Sequence, residues 1–325
     1  MVMRKPFTRR DFLRVSTAGL GAGALLRFVP GAGDARAAGI IDHLRHRNGE
    51  APRPFSIVQL SDTHVGFNGP PDPLGTKAFE RAVDMVNGLD PLPELVLFTG
   101  DLTHDSDDPG EHAKRMRTFR DIASRLRVKT RYHVPGEHDA ALDGGVLFRQ
   151  NFGETHYSFD HRGVHFVALD NVSRARPEVG PEQIAWLKKD LSRYPATAPI
   201  VVFTHRPLFD LKPEWEWFTR DGDAVMNVLS TYDAVTVLYG HIHHEHHDTR
   251  GNAQHHAARS LIFAFPDPTA GEKKPLPFDS THPFHNLGIR TVCGPSPVAV
   301  HDVELTLREL SGTEGVAQIL KGEID

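Results

Sequence analysis

Between Phe55 and Tyr239, short apolar runs alternate with longer segments whose apolar residues recur at helical spacing. The runs are "FSIVQL" (55–60), "ELVLFT" (94–99), "RYHVP" (131–135), "PIVVF" (199–203) and "AVTVLY" (234–239). Runs this short and this continuous suit strands buried on both faces better than helices. Helices are predicted over residues 77–89, with Ala78, Ala82, Val83 and Val86 on one face, and over Glu111–Arg127. Two more are predicted over Pro181–Tyr194, with proline at its start, and near Asp221–Ser230. "HYSFDHRGVHFVALD" (156–170) alternates around Arg162-Gly163, a hairpin signal. After His243 the pattern weakens into short strands near 260–265, 287–292 and 298–305, and no internal repeat is visible. Strands separated by helices define an α/β fold class.

The polar residues punctuate this pattern at fixed places. Asp62 and His64 follow the first strand and Asp101 the second. "GEHD" (136–139) follows the third, His205 a later one, and "GHIH" (240–243) the next. In layered α/β sheets, ligands bind beyond the carboxyl ends of the strands. One Asp or His after a strand is an ordinary turn residue; a series of five is hard to ascribe to turns. Glycines precede Asp101, Glu137 and His241, where they let the backbone turn sharply under a ligand. Residues two apart in an extended segment point to one side. Asp62 with His64, and His241 with His243, can therefore each converge on a metal. Carboxylate and imidazole ligands without thiolate suit Mn, Fe or Zn in a working site rather than a structural zinc. Two metals ~3.5–4 Å apart can clamp the attacking and leaving oxygens of a phosphoryl group.

"DTH", "GD", "GEHD", "TH" and "GHIH", in that order, resemble the calcineurin-like metallophosphoesterases. The resemblance spans roughly Phe55–Glu245, including the hairpin and the "WLKKDL" helix. It implies a four-layer αββα sandwich, two mixed sheets face to face with helices outside, and a metal-bound hydroxide attacking phosphorus in line. Carried onto this chain, it implies that Asp62, His64 and His243 hold one metal and that His205 and His241 hold another. Asp101 would bridge the two, and Glu137 stands where the family has Asn. His138 would be the acid or charge stabiliser beside the leaving oxygen, oriented by Asp139. His104 sits where the purple acid phosphatases of this superfamily place a metal-binding Tyr, but those lack the Asp-x-His present here. His104 is therefore expected to support a ligand or face substrate. Asn171, Arg174, Arg176, Arg206 and Asn68 are weaker substrate candidates, with a solvated loop as the alternative.

Glu137 alters the charge of such a site. With Asn there, Asp62, Asp101 and a bridging hydroxide total −3, and two divalent ions bring the site to +1. With Glu137 ionised, the same two ions give 0, and one trivalent ion such as Fe(III) restores +1. Glu137 is thus expected to ligate and to favour iron together with Mn or Zn. The rival is that the longer carboxylate displaces the second metal.

Composition narrows the class. The 325 residues are 39% hydrophobic and 24% charged, with 21 histidines, nine of them from His241 to His285. His244, His246, His247, His255 and His256 read as an exposed loop, with a further metal site as the alternative. The N-terminus carries "TRRDFLR" (8–14), a weakly apolar stretch from Val15 to Leu26, and small residues offering a cleavage site at Ala35–Ala37. These are the parts of a secretory signal, and the paired arginines resemble a twin-arginine signal. Residues 1–37 are expected to be the signal, 38–54 a linker, and 55–325 the catalytic domain. Removing residues 1–37 takes away seven of 37 Lys/Arg and two of 42 Asp/Glu, leaving 30 and 40, a formal charge of −10. So acidic a body argues against a nucleic-acid partner that needs a broad basic footprint. No apolar run reaches the ~18 residues of a membrane span, and nothing suggests a lipid anchor. The single Cys293 cannot form an internal disulfide. The expectation is a periplasmic or secreted hydrolase acting on a small phosphoester, diester slightly before monoester, exported by the twin-arginine machinery. The alternative is a non-catalytic exported metal-binding protein built on the histidine-rich 241–285 region.

Overall fold

A computed structural model of the chain describes residues 55–140 and 142–294, together with the backbone of 299–304. The expected signal (1–37) and linker (38–54) lie outside the described residues. Eleven strands and six α-helices follow in the order β1 (Phe55–Leu60), α1 (Lys77–Asn87), β2 (Val96–Thr99), α2 (Pro109–Ser124), β3 (Arg131–Val134), α3 (Glu137–Ala140), α4 (Val146–Phe152), β4 (Tyr157–His161) and β5 (Val164–Ala168). The order continues with α5 (Pro181–Leu191), β6 (Ile200–Phe203), α6 (Gly222–Leu229), β7 (Val235–Tyr239), β8 (His246–Arg250), β9 (Ala253–Ala257), β10 (Gly288–Gly294) and β11 (Ala299–Glu304).

The strands form two mixed sheets, ordered β11-β10-β1-β2-β3 and β4-β5-β6-β7-β9-β8. β1, β2 and β3 run parallel, as do β5, β6, β7 and β9. Strand alternation explains how one sequence serves two cores. Ile57, Leu97, Phe166, Phe203 and Leu238 pack together from both sheets. Their neighbours Val58, Val96 and Phe98 face the other way, against Phe79, Val83 and Phe119 of α1 and α2. Val167, Val202 and Val237 face Leu187 and Leu191 of α5 and Val225 and Leu229 of α6. The layers are therefore helix, sheet, sheet, helix, the expected four-layer sandwich. Strands covered on both faces favour apolar residues, which is why β1, β2, β6 and β7 read as mostly apolar runs; the buried exception Gln59 is satisfied by Thr99 Oγ1 and Tyr239 O. Each fully buried Val, Leu or Phe adds ~1.5–3 kcal/mol over exposure.

Two expectations fail after His243. Residues 260–265 are not a strand. Leu261 N donates to Asp62 O and Phe265 N to His243 O, so the segment pairs with the site loops instead of a sheet. The supposed exposed histidine loop is the β8–β9 hairpin, in which His255 is fully buried and His256 nearly so. The turn is Gly251-Asn252, with Gly251 at φ +60° and Asn252 Nδ2 tied to the carbonyls of Leu229 and Tyr232.

Candidate metal centre

The ends of β1, β2, β3, β6 and β7 open onto one region, and the two sheets supply opposite sides of it. Asp62, His64, Asp101 and His243 bring ligand atoms within 4.8 Å of one another, and so do Glu137, His205 and His241. Asp101 joins the two groups through one oxygen. Its Oδ2 lies 3.3 Å from His64 Nε2 and 3.3 Å from His205 Nε2. All seven residues expected to ligate are thus brought together.

The local backbone is not the extended one expected. Asp62, His64, Asp101, His241 and His243 all have left-handed φ, between 39° and 66°. For residues with a Cβ, such conformations cost roughly 1–3 kcal/mol apiece and persist where the surroundings fix them. Each strand ends by curling back, and this curl, rather than strand alternation, turns successive ligands inward. The glycines serve close approach as much as turning. Only Gly100 has positive φ, at 94°. A Cβ on Gly136 would run into Asp101 Oδ1 and N, and one on Gly240 into Ser61 Oγ and Asp62 Oδ2.

The histidines are oriented for lone-pair donation. His205 Nδ1 is 2.8 Å from Thr99 O, His243 Nδ1 is 2.8 Å from Phe263 O, and His241 Nε2 is 3.1 Å from Glu216 O. A carbonyl can only accept, so each ring carries its proton there and turns its other nitrogen inward as a lone pair. Inside, donor meets donor. His64 Nε2 and His243 Nε2 are 3.1 Å apart. His205 Nε2 lies 2.8 Å from Glu137 Oε2, yet neither atom makes a hydrogen bond. Buried lone pairs aimed at shared points, with three carboxylates among them, fit cations. The residues therefore fit a pair of metal ions.

The electrostatics mark the same crowding: the carboxylates hold a second proton on His205, at Nε2, in the place a bound cation would take. Burial pushes Asp62 up to about 7, against the pull of His205. Burial also disfavours charge on Glu137, but His241, His205 and Arg206 hold its carboxyl well below the usual range. Burial likewise opposes charge on His205, but Asp101 and Glu137 outweigh it and hold that imidazole well above its ordinary value. Burial lowers His241 to about 4, and burial with the neighbouring His64 depresses His243 strongly.

Beside the ligands, His138 hydrogen-bonds through Nδ1 to Asp105 Oδ1 at 2.6 Å, and its backbone N–H donates to Asp101 Oδ1. The expected orienting role of Asp139 is not observed. The Asp139 carboxylate instead accepts from the N–H groups of Leu102, Thr103 and Gly136 and from Thr103 Oγ1. It locks the Asp101 loop to the "GEHD" loop. Asp105, absent from the sequence candidates, partners His138. Burial opposes protonation of His138, but Asp101, Glu137 and Asp105 raise its pKa. His104 places Nδ1 3.2 Å from His64 Nδ1 and stacks on His138 at 4.6 Å between centroids. It steadies both rings and, with burial as the main cause, stays neutral with a pKa near 4.

Two other candidates are buried supports rather than open substrate contacts. Asn171 donates to Arg206 O and Thr219 Oγ1 and accepts from Arg206 N, clamping the segment after His205. Arg206 reaches Glu137 and Glu216, and Arg174 pairs with Glu178 and Glu182.

Comparison with known proteins defines the class. Residues 55–245 match the calcineurin-like phosphoesterase family model, so the chain belongs to that family and is a metal-dependent phosphoester hydrolase. It is 27% identical over 201 residues to a probable glycerophosphodiester phosphodiesterase GpdQ of Arcobacter nitrofigilis, covering 58% of this chain and 71% of the relative. It is 24% identical over 220 residues to the 3',5'-cyclic-nucleotide phosphodiesterase alr5338 of a Nostoc strain, covering 65% and 80%. In fold it resembles a purple acid phosphatase, PPD1, from yellow lupin, with TM-score 0.56 and 13% identity over 76% of this chain and 50% of that one. A dimetal phosphatase from Danio rerio gives TM-score 0.50 and 16% identity over 78% and 99%.

Proposed function

We propose that the protein is an exported hydrolase of small phosphodiesters working with two metal ions. The carrying observation is the single Asp101 oxygen standing between two sets of inward-facing ligands. Asp62, His64 and His243 would hold one ion, Glu137, His205 and His241 the other, and Asp101 both. When bound, the pair polarises the phosphoryl group and activates water. The remaining chemistry belongs to the chain. His138 carries a proton on the side of the ring away from Asp105 and donates it to the departing oxygen. Asp105 holds the ring in place and favours its protonated form. Asp139 and Asn171 keep the ligand loops in register.

The diester preference is supported by the phosphodiesterase names of the two relatives, and export by the twin-arginine pattern of residues 8–14. The non-catalytic metal-binding reading is less well supported, because every group of three metal donors among the described residues belongs to this one centre. The test is the ratio of kcat/KM for bis(p-nitrophenyl) phosphate to that for p-nitrophenyl phosphate, with Mn, Zn or Fe supplied. A ratio above one supports the diesterase; metal-dependent turnover of the monoester alone rejects it. Replacing Arg9 and Arg10 with Lys should hold the precursor in the cytoplasm, and normal processing of that variant removes the export reading.

A further inference from the structure

Glu137 is an anion where the family has a neutral side chain, and the structure supplies a cation to match it. Arg206 Nη2 lies 3.1 Å from Glu137 Oε1. Arg206 Nη1 donates to Glu216 O at 3.0 Å, the same carbonyl that orients His241. That carbonyl is presented by a tight turn in which Glu216 itself has φ 63°. Asn171 fixes the Arg206 backbone from both sides. The guanidinium is therefore immobilised and nearly buried, and among the described residues its only carboxylate partner is Glu137. Burying a charge without a partner is strongly unfavourable, so the two groups belong together.

We propose that Arg206 is the built-in counter-ion of Glu137, so that the centre takes two divalent ions rather than an iron(III)-containing pair. This rests on the two-metal reading above. The count is simple. With the bridging hydroxide left out, Asp62, Asp101 and Glu137 contribute −3, and Arg206 returns the sum to −2, the value that Asp62 and Asp101 alone give with Asn at position 137. The sequence alone pointed to iron because only the carboxylates were visible in the motifs. Arg206 was present in "THRP" but without a partner.

The proposal makes opposite demands on the two single variants. Glu137→Asn leaves Arg206 as an uncompensated cation facing the ligands, so the second ion should be weakened on the order of 10²-fold, as a unit charge a few ångströms away implies. Arg206→Met leaves one extra negative charge, so the loaded protein should shift toward iron(III). The double variant restores the balance and should again hold two divalent ions. Arg206→Lys keeps the charge and should keep the divalent preference.

The experiment loads the wild type and these four variants with equimolar Mn, Zn and Fe in air. Metal content is read by plasma mass spectrometry, and affinity by competition with a chelator. Opposite shifts in the singles, with recovery in the double, support the proposal. A wild type loaded mainly with iron and divalent metal in equal parts overturns it. So does an Arg206→Met protein with wild-type metal content and affinity, a double variant no better than its singles, or Arg206→Lys behaving like Arg206→Met. A wild type that binds no metal overturns the two-metal reading itself, and this proposal with it.

Discussion

Removing the His138 imidazole should slow hydrolysis without emptying the centre. A positioned acid contributes on the order of 10²–10⁴ in rate, so His138→Ala should lose that factor in kcat and keep its metals. The contribution of Asp105 can be worked from the geometry. A charge-assisted hydrogen bond is worth about 1.5–3 kcal/mol. The Asp105 side chain is 43% exposed, so solvent screening brings this toward ~1 kcal/mol. Asp105→Asn should therefore cost roughly five-fold in kcat. The pH profile carries the sign. Asp105 is one of the carboxylates that raise the His138 pKa. The protonated form needed for donation is present below that pKa and lost as pH rises through it. Without Asp105 the basic limb must move to lower pH. The assay is kcat against pH for a series of aryl phosphodiesters of graded leaving-group pKa. The His138→Ala loss should shrink as the leaving group improves, because a good leaving group needs little protonation. An equal loss across the series, or a basic limb that stays put in Asp105→Asn, refutes the assignment of His138 as acid and Asp105 as its partner.

Asp139→Ala should fail differently. It deprives three backbone N–H groups and Thr103 Oγ1 of their acceptor. At about 1–3 kcal/mol for each buried donor left unmade, stability should fall by several kcal/mol, read as a lower denaturation midpoint. Full stability with selective loss of kcat would return Asp139 to a catalytic role. Gly136→Ala should lose metal as well as stability, because its Cβ would displace the Asp101 carboxylate; unchanged metal content contradicts the close-approach account. Chelation should lower the melting temperature of the wild type. Metals present at 1,000 times their dissociation constant would add ~4 kcal/mol to the folded state, and a melting temperature indifferent to chelator would mean that no ion is held by the fold.

What the sequence disclosed follows from where the physics is local. β1, β2, β6 and β7 were visible because both of their faces are covered, so apolar residues dominate each run and the few polar ones, such as Gln59 and Thr236, are buried with them. The ligands were visible because each stands just after a strand, all but Glu137 after one of these runs and Glu137 after the half-buried β3. The hairpin β8–β9 was not, since "HHDTR" and "AQHHA" carry no apolar alternation; only the Gly251-Asn252 turn marked it. Asp105 was hidden by its setting in "THDSDD", where one more acidic residue looks like a solvated loop. Its pairing with His138 spans 33 residues and depends on the β2 and β3 ends lying side by side. Adjacency misled in the case of Asp139, whose place next to His138 suggested a partnership that the α3 turn does not make. The Glu137–Arg206 pair joins two different sheets, and only the assembled sandwich brings it together.

The central claim is that one carboxylate, Asp101, joins two metal positions. Metal stoichiometry of the purified wild type and of Asp101→Ala tests it most directly, with diester hydrolysis followed on the same samples. The account requires two equivalents per chain in the wild type, and at most one, with hydrolysis lost, in Asp101→Ala. Two tightly held equivalents and undiminished hydrolysis in Asp101→Ala would contradict it.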